Sequence, residues 1–142
     1  MAQALPTAPG EPTSSGEPTS SEVTQAEAAA TLRAALNLFQ LWKVSDAQAR
    51  VLLGRPSPTT YYRWKRGNIR TVPPDTVWRL GDLMGIHKAL RYMFTERERG
   101  YAWISKPNAA FAGKSALERM LAGAPSDLTA VRNYLDSERG GW

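Results

Sequence analysis

Cysteine is absent from the 142 residues, and His87 is the single histidine. No disulfide scaffold, Cys/His zinc site, thiol nucleophile or iron–sulfur ligation is therefore available. A Ser–His–Asp arrangement would have to use His87, which stands inside an apolar helical stretch. Long apolar runs are missing as well: none approaches the roughly 18 residues of a membrane span. No basic residue precedes an apolar core near Met1, so no secretory signal is predicted. No segment alternates apolar and polar residues with the two-residue period of a half-buried strand. These absences predict a cytosolic, all-α protein with no metal, no cofactor and no catalytic role.

Hydrophobic residues make up 42% of the chain, and the shortfall sits at one end. Residues 1–26 are rich in Pro, Gly, Ser and Thr, and repeat Gly-Glu-Pro-Thr-Ser-Ser in tandem at 10–15 and 16–21. Such a segment buries too little apolar surface to offset its ordering entropy, so a disordered tail is predicted there. The remaining 116 residues are a common size for a single-core domain. Charge is equally uneven. Up to Glu27 the chain has four glutamates and no Lys or Arg, which leaves 18 basic against 9 acidic residues beyond it. Lys43, Arg50, Arg55, Arg63, Lys65, Arg66 and Arg70 cluster together, opposed only by Asp46. A basic patch of this kind points toward nucleic acid.

From Glu27 onward the periodicity is helical. Leu32, Ala35, Leu36, Phe39 and Trp42 or Lys43 recur at three- and four-residue spacing. Ser45 with Gln48 reads as a capping box, Ala49, Leu52 and Leu53 as a buried side, and Gly54 as a stop. Ser57 caps the next helix, with Pro58 at its first position, and Gly67 ends it. Pro73-Pro74-Asp75 opens a helix striped by Val77, Leu80, Leu83 and Met84, which Gly85 is expected to break. Shorter helices are predicted over about Ile86–Phe94 (burying Leu90 and Met93 or Phe94), Glu96–Ile104 and Ala116–Leu121, the last capped by Ser115. Ser126-Asp127 is expected to cap a final helix that buries Leu128, Val131 and Leu135. Trp42, Trp64, Trp78 and Trp103, all beside aliphatic residues, are assigned to the core. Gly113 is expected to adopt positive φ, and Gly113-Lys114-Ser115 is not a phosphate loop, because Asn108 replaces the required glycine.

Two short capped helices joined by a glycine-containing turn outline a helix-turn-helix, whose second helix enters the major groove. On that helix Pro58, Tyr61 and Trp64 share one side and are expected inward. Thr59, Thr60, Arg63 and Arg66 fall opposite, with Tyr62 and Lys65 at the margins. Hydroxyls and guanidinium groups suit phosphate oxygens and guanine edges. Arg55 in the turn and Arg70 in the following loop add candidate phosphate contacts. About six such contacts give log affinity a slope near −5 against log salt. A solvated Arg-rich face on a helical bundle is the alternative that the helix pair alone leaves open.

The C-terminal half carries a more specific pattern: Trp103-Ile104, Lys106-Pro107-Asn108, Phe111, Gly113-Lys114-Ser115-Ala116-Leu117, Leu121, Gly123, Ala130-Val131-Arg132, Tyr134-Leu135 and Arg139-Gly140-Gly141-Trp142. With Tyr61-Tyr62-Arg63-Trp64-Lys65 and Gly67 before it, residues 27–142 resemble the Xre/MbcA/ParS family of type II antitoxins, especially those paired with a RES-domain toxin. Several relatives have Pro where this chain has Ala116. The resemblance implies an Xre-like helix-turn-helix domain over 27–94 and a small helical toxin-binding domain over 95–142. It further implies a RES toxin partner that consumes NAD and whose active-site entrance the C-terminal domain covers. Double-stranded operator DNA and a homodimer complete the implied partners.

The toxin-binding candidates are Arg132, Arg139, Gly140, Gly141 and Trp142. A terminal Trp behind two glycines gives little to folding unless it folds back, whereas on a binding surface it fills a partner's pocket. Arg132 and Arg139, seven residues apart and so nearly on one face, suit acidic groups on a toxin or a solvated surface equally. The competing functional reading is a stand-alone helix-turn-helix regulator whose C-terminal half dimerises.

Overall fold

The computed structural model describes residues 23–140, and among them every regular element is helical. In chain order these are α1 (Gln25–Leu41), α2 (Asp46–Leu52), α3 (Pro58–Lys65), α4 (Pro74–Met93), α5 (Arg97–Trp103), a 3-10 turn (Ala109–Phe111), α6 (Ala116–Met120) and α7 (Pro125–Glu138). Residues 1–22 of the tail expected over 1–26, and the chain-end residues Gly141 and Trp142, lie outside the described residues.

Local chemistry explains most helix starts. Ser45 Oγ accepts the Gln48 N–H at 3.1 Å while Gln48 Oε1 accepts the Ser45 N–H at 3.0 Å, closing the expected box. Ser57 Oγ takes the Thr60 N–H at 3.1 Å, with Pro58 at the first helical position. Ser115 and Glu118 form the same reciprocal pair at α6, so Ala116 is accommodated without a proline. Gly113 has φ of +85°, as expected.

α1 starts earlier than composition suggested. Thr24 and Glu27 form a capping box, and the Gln25 side chain exchanges two hydrogen bonds with the Val72 backbone, 2.7 Å to its N–H and 3.4 Å to its carbonyl. Thr24, Gln25 and Ala26 therefore belong to the helical body rather than to the tail. At the other end α7 begins with Pro125, one residue before the expected Ser126-Asp127 cap. Asp127 instead reaches back from the first turn, accepting the Ala124 N–H at 2.9 Å.

Gly85 does not break α4, which runs unbroken for 20 residues. A Cβ at Gly85 would stand 2.5 Å from the Arg132 guanidinium, so the glycine is a notch for α7 rather than a stop. Glycine there costs the helix about 1 kcal/mol relative to alanine and leaves room for the Arg132 side chain. α4 packs most extensively on α7 and also meets α1 and α5. A single core, from Ala28 through Leu80, Leu83 and Ile86 to Leu135, unites both halves of the chain. Trp42 and Trp64 are buried in it as expected, and Trp103 is half-buried, stacked on Tyr134. Trp78 departs from the expectation: it is 69% exposed. Leu90 and Phe94 face inward, whereas Met93 is exposed.

One buried side chain ties the helix-turn-helix to the C-terminal part. Arg79 donates from Nε to Asp75 at 2.8 Å, from one terminal nitrogen to the Gly123 carbonyl at 2.9 Å, and from the other to the Val51 carbonyl at 3.4 Å. Beside it Thr76 Oγ1 donates to the Leu53 carbonyl at 2.8 Å.

Candidate nucleic-acid interface

The turn between α2 and α3 needs two residues with positive φ, Gly54 at +95° and Arg55 at +63°. The Arg55 N–H closes it onto the Arg50 carbonyl at 2.7 Å, and Arg50 Nε clamps it by donating to the Pro56 carbonyl at 2.9 Å. Arg50 was not among the sequence candidates, and nothing in its spacing distinguishes it from a surface cation.

α3 lies on this turn with Tyr61 and Trp64 buried beneath it. Pro58, expected inward, is exposed at the helix start. Thr59, Tyr62, Lys65 and Arg66 are exposed, and Arg63 and Thr60 are half-buried. Thr60 Oγ1 is occupied by the Ser57 hydroxyl at 3.1 Å, within the cap. Arg63 keeps a buried Nε with no hydrogen-bond partner. Arg70 is exposed in the loop beyond α3. Arg55, although exposed, lies toward the C-terminal part: a Cβ on Gly123 would stand 2.8 Å from its guanidinium. The fold thus gathers Thr59, Tyr62, Arg63, Lys65 and Arg66 on one helix and turns Arg55 away toward the α6–α7 loop.

Asp46, the lone acidic residue of the basic segment, sits in the middle of this group. It accepts the Tyr61 hydroxyl at 2.7 Å, the Lys65 ammonium at 2.9 Å and the Tyr62 hydroxyl at 3.3 Å. The Tyr61 hydrogen bond, followed by that from Lys65, holds its carboxyl below the usual range. Burial, reinforced by the Asp46 carboxylate, pushes the Tyr61 phenol far up. Both groups keep their charge states throughout the neutral range.

In the C-terminal part the two candidate arginines serve the chain itself. Arg132 donates to the Gly81 carbonyl at 3.2 Å and to Asp82 at 3.3 Å, and lies 3.9 Å from Asp136. Arg139 is 3.9 Å from Asp136 and lies over the Tyr92 ring, 4.9 Å from its centroid, with its side chain only 7% exposed. Gly140 is exposed with φ of +90°. His87 stacks on Tyr101, and burial, with a smaller effect of Arg91, pushes its imidazole down toward the neutral form. Among the described residues no three His, Asp or Glu side chains cluster as metal ligands, and no helix is long and apolar enough to cross a membrane.

This geometry is that of a helix-turn-helix protein with a second helical part docked on the turn. Residues 21–87 match the antitoxin Xre-like helix-turn-helix domain, and residues 89–141 match the antitoxin Xre/MbcA/ParS C-terminal toxin-binding domain. The chain is also similar to the uncharacterized protein y4oB of Sinorhizobium fredii (strain NBRC 101917 / NGR234), with 43% identity over 116 residues, 82% of this chain and 89% of that protein. The protein belongs to the Xre/MbcA/ParS antitoxin family and is non-enzymatic. Its toxin-binding domain implies a toxin partner, and its helix-turn-helix implies DNA. The two matched domains meet inside α4, so they share that helix and the core.

Proposed function

We propose that the protein neutralises a RES-domain, NAD-consuming toxin in the cytoplasm by covering its active site with the C-terminal domain and chain end. As a homodimer it binds operator DNA through α3 and represses its own operon. The toxin-binding domain over 89–141, directly continuous with a helix-turn-helix, is the observation that carries this reading. The outer side of α3 supplies Thr59, Arg63 and Arg66 for the DNA, with Arg70 in the loop beyond it, whereas Arg55 is turned toward the α6–α7 loop. Gly140, Gly141 and Trp142 supply an anchor for the toxin. Arg132 and Arg139 support that end by fastening α7 to α4 and, in this reading, reach the toxin only at their edges.

Removing Gly140–Trp142 tests the toxin side. A terminal Trp acting as an anchor contributes about 2–4 kcal/mol, so toxin affinity is expected to fall roughly 30- to 1,000-fold. Operator binding by the same variant stays at the wild-type level in an anisotropy titration. Undiminished inhibition of NAD consumption by the truncated protein would rule out occlusion by the chain end.

A further inference from the structure

Asp46 poses a physical question for a surface built to meet phosphate. A carboxylate there repels DNA, yet it stands at the first residue of α2, 43% exposed. All three of its side-chain donors come from α3, at positions 61, 62 and 65, within about one helical turn. One of them, Tyr61, is buried, so the carboxylate is anchored to the core side of α3. The other two, Tyr62 and Lys65, are exposed and belong to the DNA-facing group. The Tyr61 and Tyr62 rings meet edge to face with centroids 5.1 Å apart, and the Lys65 ammonium lies 5.9 Å from the Tyr61 ring centroid. A single oxygen pair therefore fixes the pose of α3 against α2 and pairs one of its cations.

We propose that Asp46 is a positioning residue that sets the recognition helix and withholds Lys65 from indiscriminate phosphate contact, so that it raises operator specificity while lowering raw DNA affinity. The proposal rests on the DNA-binding reading above. Its logic is that sequence-independent affinity follows the number of cations free to neutralise phosphates. Specificity follows how firmly base-reading groups are held in register. The Asp46–Lys65 pair subtracts from the first, and the three-donor clasp adds to the second.

The test uses the full chain carrying Asp46→Asn. Its binding is compared with wild type on a duplex from upstream of its own gene and on a scrambled duplex of equal length, between 50 and 200 mM salt. With Lys65 released and the repulsion removed, affinity for the scrambled duplex is expected to rise about 3- to 10-fold, and its salt slope to steepen by about 1. The ratio of operator to scrambled affinity is expected to fall about tenfold or more. Wild type that binds the operator, paired with a variant whose ratio and slope are unchanged, overturns the clasp but spares the DNA reading. A parallel loss on both duplexes with no change in slope also overturns it, because a merely structural residue would act that way. Wild type that binds neither duplex overturns the DNA reading and this inference together.

Should Asp46→Asn unfold at the assay temperature, Lys65→Met decides the matter, since it leaves the tyrosine bonds in place. A lysine already withheld from phosphate leaves the scrambled-duplex slope unchanged on removal. A slope shallower by about 1 overturns the proposal.

Discussion

Replacing Arg79 with methionine is expected to lower stability by about 1–3 kcal/mol, read as a fall in the denaturant midpoint at constant slope. Methionine keeps much of the apolar stem, so packing loss is the smaller part of the effect. The i,i+4 bridge to Asp75 is also minor, because Asp75 is half exposed to solvent. The loss comes mainly from the Gly123 carbonyl, which takes its donor from this guanidinium, whereas the Val51 carbonyl also accepts the Gly54 N–H at 3.2 Å and keeps a partner. An acceptor left without a partner inside the protein costs about 1–3 kcal/mol. Amide exchange then quickens at two places far apart in sequence, the α2–α3 turn and the α6–α7 loop. A midpoint shift equivalent to less than 1 kcal/mol, or faster exchange in one place alone, would show that Arg79 does not join the two parts.

The second large effect concerns the DNA face. Changing Arg63 and Arg66 together to alanine is expected to reduce operator affinity about 100-fold or more and to flatten the salt slope by about 2. Arg66, at the end of α3, is exposed. Arg63 is half-buried with its Nε covered, so packing holds its stem in place. Toxin neutralisation by this variant stays at the wild-type level. A loss smaller than threefold would remove α3 from the role of recognition helix.

Much of this architecture was legible because its signals are local. Ser45 with Gln48, Ser57 before Pro58, and Ser115 with Glu118 state their helix starts within four residues. Trp78 was misplaced through composition: being tryptophan beside aliphatics outweighed its position about 160° from Leu80 around the helix, which puts it outside. Gly85 could not be read correctly without knowing that Arg132 fills the notch. Thr24 and Gln25 were hidden in a segment whose average composition is that of the tail, and Gln25 acts through Val72, 47 residues away.

The candidate site divides in the same way. Helical spacing placed Thr59, Thr60, Arg63 and Arg66 opposite the buried side, with Tyr62 and Lys65 at its margins, because a face is a property of one helix; of these, Thr60 and Arg63 are half-buried. It could not show that Asp46 reaches Tyr61 and Lys65 across 15 and 19 residues, although its isolation among seven cations was a visible mark. Nor could it show that Arg132 and Arg139 have partners on α4 and α7. Charge spacing on one helix says which side a cation takes, not whether another helix has already claimed it.

The most direct test of the central claim is to capture the tagged, full-length protein from its native host and identify what it carries by mass spectrometry. The retained protein is then separated under denaturing conditions, refolded and assayed for NAD consumption. The account predicts a RES-domain protein that consumes NAD when free and stops when the antitoxin is added back. A preparation carrying no partner, or a partner whose freed form leaves NAD intact, would contradict it.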